Sequence, residues 1–211
     1  MSTKLYLTRH GETLWNTKNL MQGWKDSPLT DRGINQAKQL SKRLLDVPLD
    51  AIYSSTSNRA VHTAEIIKGE RPLEVFSFNS LREISFGIWE GKTLEENEKE
   101  SPEEWLSFWE TPHLFSSDNI ESFVKVQDRM VKTVRSIVNK NRNENVLVVT
   151  HSIALKLLID YFEKNTLQKL WSTSAIPSAS LTLVKTNNEY YEVIYKFDTV
   201  HMDESKNSNC S

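Results

Sequence analysis

The sequence predicts an α/β fold, a three-layer helix-sheet-helix sandwich around a mainly parallel central sheet. Strand-like apolar runs alternate with helix-like periodic segments along most of the chain, which is the pattern of helices packed on a parallel sheet. The run Val146–Val149 is continuous and mostly β-branched, as expected of a strand buried on both faces. The segments ending at His10 and His151 both read as strands with a histidine just beyond them.

The first half of the chain carries local signals for each predicted element. Thr30 can cap a helix over 29–45, whose apolar residues recur at helical spacing. Gly11 allows a turn after the first strand. Residues 15–27 are predicted to form a loop. The other elements predicted in this half are a first strand around Leu5–Leu7, a strand over 51–54, a helix over 58–68 and a strand over 73–76.

The second half is less periodic at first and then regular. Residues 80–117 are predicted to be mostly connective, with one helix that begins at Pro102 and carries a capping box from Ser101 to Glu104. Asn187-Asn188 predicts a tight turn between two terminal strands. The remaining predicted elements are helices over 123–138 and 153–162, a strand over 146–150, a short helical piece over 167–171, and strands over 180–184 and 190–197.

Composition favours a globular cytoplasmic protein with a small-molecule ligand. We predict one domain over 1–201, with a cover segment at about 88–120 and a disordered tail at 202–211. Lys+Arg 26 against Asp+Glu 28 gives a net charge of -2, which argues against nucleic acid and anionic membrane as partners. The single cysteine, Cys210, permits no disulfide within the chain, and neither a signal peptide nor a membrane span is indicated. Monomer and homodimer both remain open.

The two strand ends carry residues suited to phosphoryl chemistry. Arg9 offers a planar fork of donors that matches phosphate, and His10 offers a nitrogen nucleophile. Ligands of open α/β sheets bind just beyond the carboxyl ends of the strands, where both residues are expected. An isolated Arg-His pair is more often a surface arginine and a loop histidine. The second strand end, Thr150-His151-Ser152, makes the site interpretation preferable.

Residues 7–16, LTRHGETLWN, resemble the signature of the histidine phosphatase superfamily, also called the phosphoglycerate mutase-like family. The resemblance covers roughly residues 4–197. It implies a phosphoglycerate mutase-like fold and an enzyme that transfers or hydrolyses phosphoryl groups. Further motifs that match are Gln22-Gly23, Leu29 to Gly33, Ser54-Ser55, Arg59 with Thr63-Ala64, Leu81-Arg82-Glu83 with Gly87, and Thr150-His151-Ser152.

The resemblance also implies residue roles. His10 would be the nucleophile that becomes phosphohistidine, and Glu83 would donate and accept the proton. Arg9 and Arg59 would clamp the phosphate, and like-charge repulsion from them would keep His10 neutral. Residues implied to contribute further are His151 at the phosphoryl oxygens, Asn16, Gln22, Gly23 and Ser152 in the substrate pocket, and Arg32 and Arg82 as outer support. His62 is expected to be a packing or surface residue.

No cofactor is predicted, and a metal site is disfavoured. Two histidines and a glutamate are possible zinc ligands. However, Arg9 and Arg59 would repel a dication in the same pocket, and neither histidine belongs to a compact HExxH motif.

The composition of the cover segment distinguishes a phosphatase from a mutase. Between Glu90 and Asp118 it is acidic and aromatic, has no arginine, and carries only Lys92 and Lys99 as basic residues besides His113. Mutases of the family grip their acidic substrate with basic residues here, so a metal-independent phosphomonoesterase with an uncharged or apolar leaving group is preferred. Its aromatic residues equally fit simple packing. The alternatives are an α-ribazole phosphatase-like enzyme, a phosphoglycerate mutase, and an inactive phospho-ligand-binding regulatory module.

Overall fold

The fold is taken from a computed structural model that describes residues 2–173, 175–187 and 189–202. The strands are β1 (Thr3–Arg9), β2 (Ala51–Ser55), β3 (Val75–Phe78), β4 (Asn145–Thr150), β5 (Leu181–Thr186) and β6 (Tyr191–Asp198). The α-helices are α1 (Leu14–Thr17), α2 (Asp31–Arg43), α3 (Asn58–Lys68), α4 (Leu94–Glu100), α5 (Pro102–Glu110), α6 (Phe123–Lys140) and α7 (Ser152–Phe162).

The six strands form one sheet in the order β3-β2-β4-β1-β5-β6. β3, β2, β4 and β1 are parallel, and the C-terminal strands β5 and β6 extend the sheet antiparallel. The mainly parallel sheet predicted from the alternating pattern is therefore confirmed.

Helices cover both faces of the sheet, because side chains of the central strands alternate between two cores. Leu5 and Leu7 point to the face covered by α6 and α7, whereas Tyr6 points to the face covered by α2 and α3. Val148 and Val149 alternate in the same way on β4. A strand buried on both sides must be apolar throughout, which explains the continuous run in the sequence.

The register of β1 and β4 brings the two strand-end histidines together. Arg9 is paired with Thr150, and the His10 N–H donates to the Thr150 carbonyl at 3.0 Å. The imidazole rings of His10 and His151 are 5.2 Å apart between centroids. Parallel pairing thus places both histidines at one edge of the sheet, as predicted.

The structure corrects several local predictions. Ser101 forms no capping box, because its backbone N–H closes α4 on the Asn97 carbonyl and its side chain makes no cap hydrogen bond. The capping box of this region lies instead at Thr93 and Glu96, where it begins α4, a helix that the sequence pattern does not predict. Residues 14–17 form α1 within the predicted loop, and β3 begins two residues later than expected, at Val75.

Two predictions fall partly on residues outside the described ranges. The turn between β5 and β6 contains Asn188, and the predicted disordered tail includes 203–211, none of which is described. Met202 itself belongs to a 3₁₀ turn, Val200–Met202. Within the described ranges, no helix combines the length and apolar character that crossing a membrane requires.

Candidate active site

A cavity of about 530 Å³ opens at the carboxyl ends of β1 and β4. Except for His151, all the predicted site residues line it. They are Arg9, His10, Asn16, Gln22, Gly23, Arg59, Glu83 and Ser152. His151 lies directly behind His10 and is fully buried.

His10 is held in the form that a nucleophile requires. Its Nδ1 lies 2.7 Å from the Gly11 carbonyl oxygen, which can only accept, so Nδ1 carries the proton and Nε2 has the lone pair. Arg59 donates its Nε–H to this Nε2 at 3.3 Å. Burial, and then the charges of Arg59 and Arg9, hold the pKa of His10 well below its usual range. The imidazole is therefore neutral at pH 7.

Arg59 commits all five of its N–H groups within the site. Besides His10, the guanidinium donates to His151 Nδ1 at 3.1 Å. Its other three bonds go to the carbonyl oxygens of Gly23 and Lys25 and to the Asp26 carboxylate, each at 2.8 Å. The segment 23–26 thus fixes the arginine, and only the bonds to the two imidazoles can be exchanged for a phosphate without disturbing that segment.

His151 has the opposite tautomer. Because arginine only donates, Nδ1 of His151 is the acceptor, and Nε2–H donates to the Ser55 hydroxyl at 2.8 Å. Burial, followed by the charge of Arg59, lowers the pKa of His151 well below its ordinary value. Both ring nitrogens are engaged by protein groups, so the implied contact with phosphoryl oxygens stays a prediction.

Stability at low pH should report these two buried imidazoles. Both pKa values are lowered on folding, so the unfolded chain binds protons that the folded chain does not. The stability from this difference is complete above about pH 6.5 and is lost as the pH falls below it, at up to roughly 1.4 kcal/mol per pH unit for each histidine. Urea unfolding of the wild type from pH 7.5 to 5.5, in phosphate-free buffers, measures the slope.

The variants His10→Asn and His151→Asn should each show a shallower loss of stability toward low pH. Asn35→Ala, at an exposed position on α2, serves as the control and should keep the wild-type slope. Equal slopes in all four proteins would contradict the assignment of neutral, buried imidazoles.

Arg9 is the second cation of the cavity and has donor capacity left. Its Nη1 donates to the Ile176 carbonyl at 2.6 Å, whereas its buried Nε has no hydrogen-bond partner among the described residues. Burial lowers the pKa of Arg9 from its ordinary value. A half-buried guanidinium whose buried Nε–H is unmatched suits a bound anion, because leaving such a donor unpaired costs free energy.

Glu83 reaches the cavity from the loop after β3. Its carboxylate accepts from the backbone N–H groups of Ile84, Ile153 and Ala154 at 2.9 to 3.0 Å. Two of these donors belong to the first turn of α7, whose N-terminal amides attract negative charge. Glu83 is 7% exposed, and these three hydrogen bonds hold its carboxylate at the wall of the cavity.

The rim residues Asn16 and Gln22 are tied to Thr13. Gln22 donates its amide to the Thr13 hydroxyl at 2.8 Å, and the Asn16 side-chain oxygen accepts from both the backbone and the hydroxyl of Thr13. The side-chain oxygen of Asn16 faces Thr13, which leaves its NH₂ group as the donor available to the cavity.

Close backbone contact explains the glycines of the LTDRG motif and of the histidine turn. A Cβ on Gly33 would lie 2.0 Å from the Glu12 carbonyl oxygen, and one on Gly11 would lie 2.5 Å from the Gly33 oxygen. The N-terminus of α2 therefore packs directly on the turn that follows His10.

Three other predicted residues lie outside the cavity. Arg32 pairs with Glu12 on the surface, and Arg82 stacks on Trp24 while donating to its carbonyl. Neither lines the cavity, and their supporting role stays a prediction. His62 is exposed.

Sequence reasoning missed residues whose importance comes from tertiary contacts. Asp26 pairs with Arg59, and the Thr63 hydroxyl accepts from the Gly11 N–H at 3.1 Å. Ser55 and Thr63 lie in motifs that match the family, but no local pattern predicts their partners. Arg129 reads as an ordinary helix arginine, yet its guanidinium binds the loop that carries Glu83. Among the described residues, no group of three or more potential ligands could hold a metal ion.

Comparison with known proteins agrees with this geometry. Residues 5–199 match the Histidine phosphatase superfamily (branch 1). The solved structure of Bacillus stearothermophilus YhfR is 44% identical, with a TM-score of 0.93 over 95% of this chain and 100% of that one.

Curated relatives point the same way. Phosphoserine phosphatase 1 of Hydrogenobacter thermophilus is 32% identical over 97% of this chain and 89% of its own length. Adenosylcobalamin/alpha-ribazole phosphatase of Escherichia coli is 35% identical over 74% of this chain and 77% of its own. Proteins named phosphoglycerate mutase are also among the matches.

The sheet, the paired imidazoles, Arg59 between them and Arg9 in the same cavity define the class of this protein, a phosphoryl-transfer enzyme on a phosphoglycerate mutase-like fold. The chain belongs to the histidine phosphatase superfamily, branch 1. This confirms the resemblance read from LTRHGET and the enzyme class predicted with it, a phosphoric monoester hydrolase.

Proposed function

We propose that this enzyme hydrolyses small phosphate monoesters with apolar or uncharged leaving groups through a phosphohistidine at His10. The observation that carries the proposal is the tautomer of His10. Its Nε2 lone pair faces the cavity side that Arg59 occupies, and its Nδ1–H is fixed by the Gly11 carbonyl. A neutral, oriented imidazole between two guanidinium groups suits attack on a dianionic phosphate.

The first half-reaction transfers the phosphoryl group to the enzyme. The phosphate displaces the Arg59 contacts to the imidazoles and is held by Arg9 and Arg59. Nε2 of His10 attacks phosphorus in line as the bond to the leaving oxygen breaks. A proton passes from the Glu83 carboxyl group to that oxygen, so the product leaves as an alcohol or phenol and Glu83 is left as a carboxylate.

The second half-reaction returns the enzyme to its starting state. A water molecule attacks the phosphorus of phosphohistidine, and the Glu83 carboxylate takes the proton that the water loses. The N–P bond breaks, inorganic phosphate leaves, and His10 Nε2 regains its lone pair. Each role is fulfilled by a residue that lines the same cavity.

The outer part of the cavity supports an apolar leaving group. Its wall includes Leu20, Leu94, Trp109 and Trp171, and the two indoles are 4.6 Å apart. Lys156 is the only cation there besides Arg9 and Arg59 among the described lining residues. Its ammonium group donates to the backbone and the hydroxyl of Thr173.

The cover contributes apolar surface to the cavity but no positive charge. Phe108 is fully buried in an aromatic cluster with Trp89, Trp109 and Phe115, so most of the cover aromatics pack rather than bind. Lys92 forms an ion pair with Glu100 instead of facing the cavity. A phosphoglycerate mutase, the second candidate, would need a basic grip on the substrate carboxylate here.

A panel of phosphate esters tests the proposal. Phosphate release should be fastest from aryl and alkyl esters with neutral leaving groups, slower from phosphoserine, and unaffected by excess chelator. Conversion of 3-phosphoglycerate that depends on the bisphosphate would favour the mutase instead. An absence of turnover on every ester, with retained phosphate binding, would favour the inactive binding module. A cytoplasmic location and a small-molecule substrate remain part of the proposal.

A further inference from the structure

Arg129 lies on α6, outside the catalytic cavity, and uses every N–H group of its guanidinium. Nε–H and one Nη2–H donate to the two carboxylate oxygens of Glu121, each at 2.8 Å, in a bidentate ion pair. The three remaining N–H groups donate to the backbone carbonyls of Ser80, Arg82 and Glu83, at 2.9, 2.6 and 2.9 Å. One side chain thus holds three carbonyls of the loop that presents Glu83.

Glu121 also binds the loop directly, through the backbone of Ser85. The backbone N–H of Glu121 donates to the Ser85 carbonyl at 2.9 Å, and its carboxylate accepts from the Ser85 N–H at 3.2 Å. The ion pair is mostly buried, with side-chain exposures of 18% and 15%. A bidentate pair in this setting is rigid, because any displacement of Arg129 breaks several charge-assisted bonds together.

Two further hydrogen bonds hold the loop that carries Glu83. The Thr150 hydroxyl donates to the Leu81 carbonyl at 2.7 Å, and the Trp24 indole N–H donates to the Glu83 carbonyl at 2.9 Å. At its other end the Glu83 carboxylate is docked on the first turn of α7. The backbone of Glu83 is therefore fixed by Arg129 and its carboxylate by α7.

We propose that Arg129, braced by Glu121, is a positioning residue that sets the distance between the Glu83 carboxyl group and the leaving oxygen. The inference rests on the proposed function, in which Glu83 moves the proton. A proton donor must lie within hydrogen-bond reach of the departing oxygen, and a shift of about 1 Å in such a group costs up to roughly 100-fold in rate. Arg129 itself touches neither substrate nor reacting atoms.

A series of leaving groups separates positioning from general destabilisation. Alkyl phosphates need a proton on the departing oxygen, whereas 2,4-dinitrophenyl phosphate expels a stable phenolate and does not. In Arg129→Met we expect kcat/KM for alkyl esters to fall about 10²-fold, with less than about 3-fold loss on the dinitrophenyl ester. Glu83→Gln should show the same selectivity, and the double variant should be no worse than Glu83→Gln on alkyl esters.

Matched variants complete the design. Arg135→Met, on the same helix, removes a surface arginine that donates to the Tyr161 hydroxyl, and should leave both rates unchanged. Arg129→Lys and Glu121→Gln preserve much of the volume and should show the same selective loss, so they carry the test if Arg129→Met does not fold.

The outcomes distinguish this inference from the proposed function. If wild type hydrolyses none of the esters, or His10→Ala hydrolyses them normally, the proposed function fails and the assignment of Arg129 falls with it. If wild type hydrolyses the series but the Arg129 variants slow all esters by the same factor, or slow none, only the positioning role is overturned. Selective loss on poor leaving groups supports it.

Discussion

Replacing His10 by alanine is expected to abolish hydrolysis of every phosphate ester, with kcat reduced at least roughly 10⁴-fold. The loss follows from the site geometry, because no other imidazole lines the cavity among the described residues. His151 is fully buried, and its two nitrogens are engaged by Arg59 and Ser55. Removing the nucleophile therefore leaves a phosphate-binding cavity without the group that bonds to phosphorus.

The variant is measured by phosphate release and by rapid quenching of a reaction with ³²P-labelled ester into alkaline detergent. Wild type should carry an acid-labile, base-stable label on the protein, and His10→Ala should carry none while still binding vanadate or phosphate. His62→Ala is the matched control, since that histidine is exposed on α3, and it should retain full activity and labelling. Persistence of the label in His10→Ala would assign the nucleophile to another residue.

Much of this site is visible in the sequence because its central residues are placed by strand ends. A strand is recognised from apolar residues that alternate with polar ones or form a continuous run. The carboxyl ends of parallel strands lie at one edge of a sheet. The apolar pattern therefore predicts that His10 and His151 lie at the same edge of the sheet, whereas the adjacency of their strands is seen only in the structure. The bounds of helix α3 can also be predicted from local sequence signals. It begins beside Ser57 and ends at Gly69, whose φ of +54° suits a residue without a side chain.

The missed helix α4 shows why local reading fails elsewhere. Its sequence, LEENEKE, has no apolar stripe, and the residue it buries is polar Asn97. Asn97 donates to the Trp89 carbonyl at 3.2 Å, and Trp89 itself belongs to the aromatic cluster beneath the cover. The capping box of α4 and the Asn97 bond to Trp89 support this helix, and a search for hydrophobic periodicity detects neither.

Roles that depend on long-range contacts are equally hidden. The sequence predicts that Arg59 binds phosphate, but not that three of its five bonds go to the segment 23–26. Asp26 and Arg129 each look like one surface charge among many. Their identity as supports of the site comes from partners that are 33 and 46 residues away.

Replacing Arg59 by methionine is expected to reduce kcat/KM about 10²–10³-fold on all esters, irrespective of the leaving group. Methionine fills much of the volume but supplies no donor, so the transferring oxygens lose their central guanidinium. The Asp26 carboxylate, which lies outside the cavity, would also lose its ion-pair partner at 2.8 Å. A carboxylate left without its cation is destabilising, and its negative charge opposes the binding of an anion in the neighbouring cavity.

The second substitution Asp26→Asn should therefore partly restore phosphate affinity and thermal stability in the Arg59→Met background. Arg32→Met is the control, because its ion pair with Glu12 lies at the surface, with the arginine 74% exposed, and such pairs contribute little. Steady-state kinetics, inhibition by vanadate and thermal melting measure the three effects. Activity within about 10-fold of wild type in Arg59→Met would mean that Arg9 alone holds the phosphate, and the Arg59 contacts to the two imidazoles would then serve structure rather than catalysis.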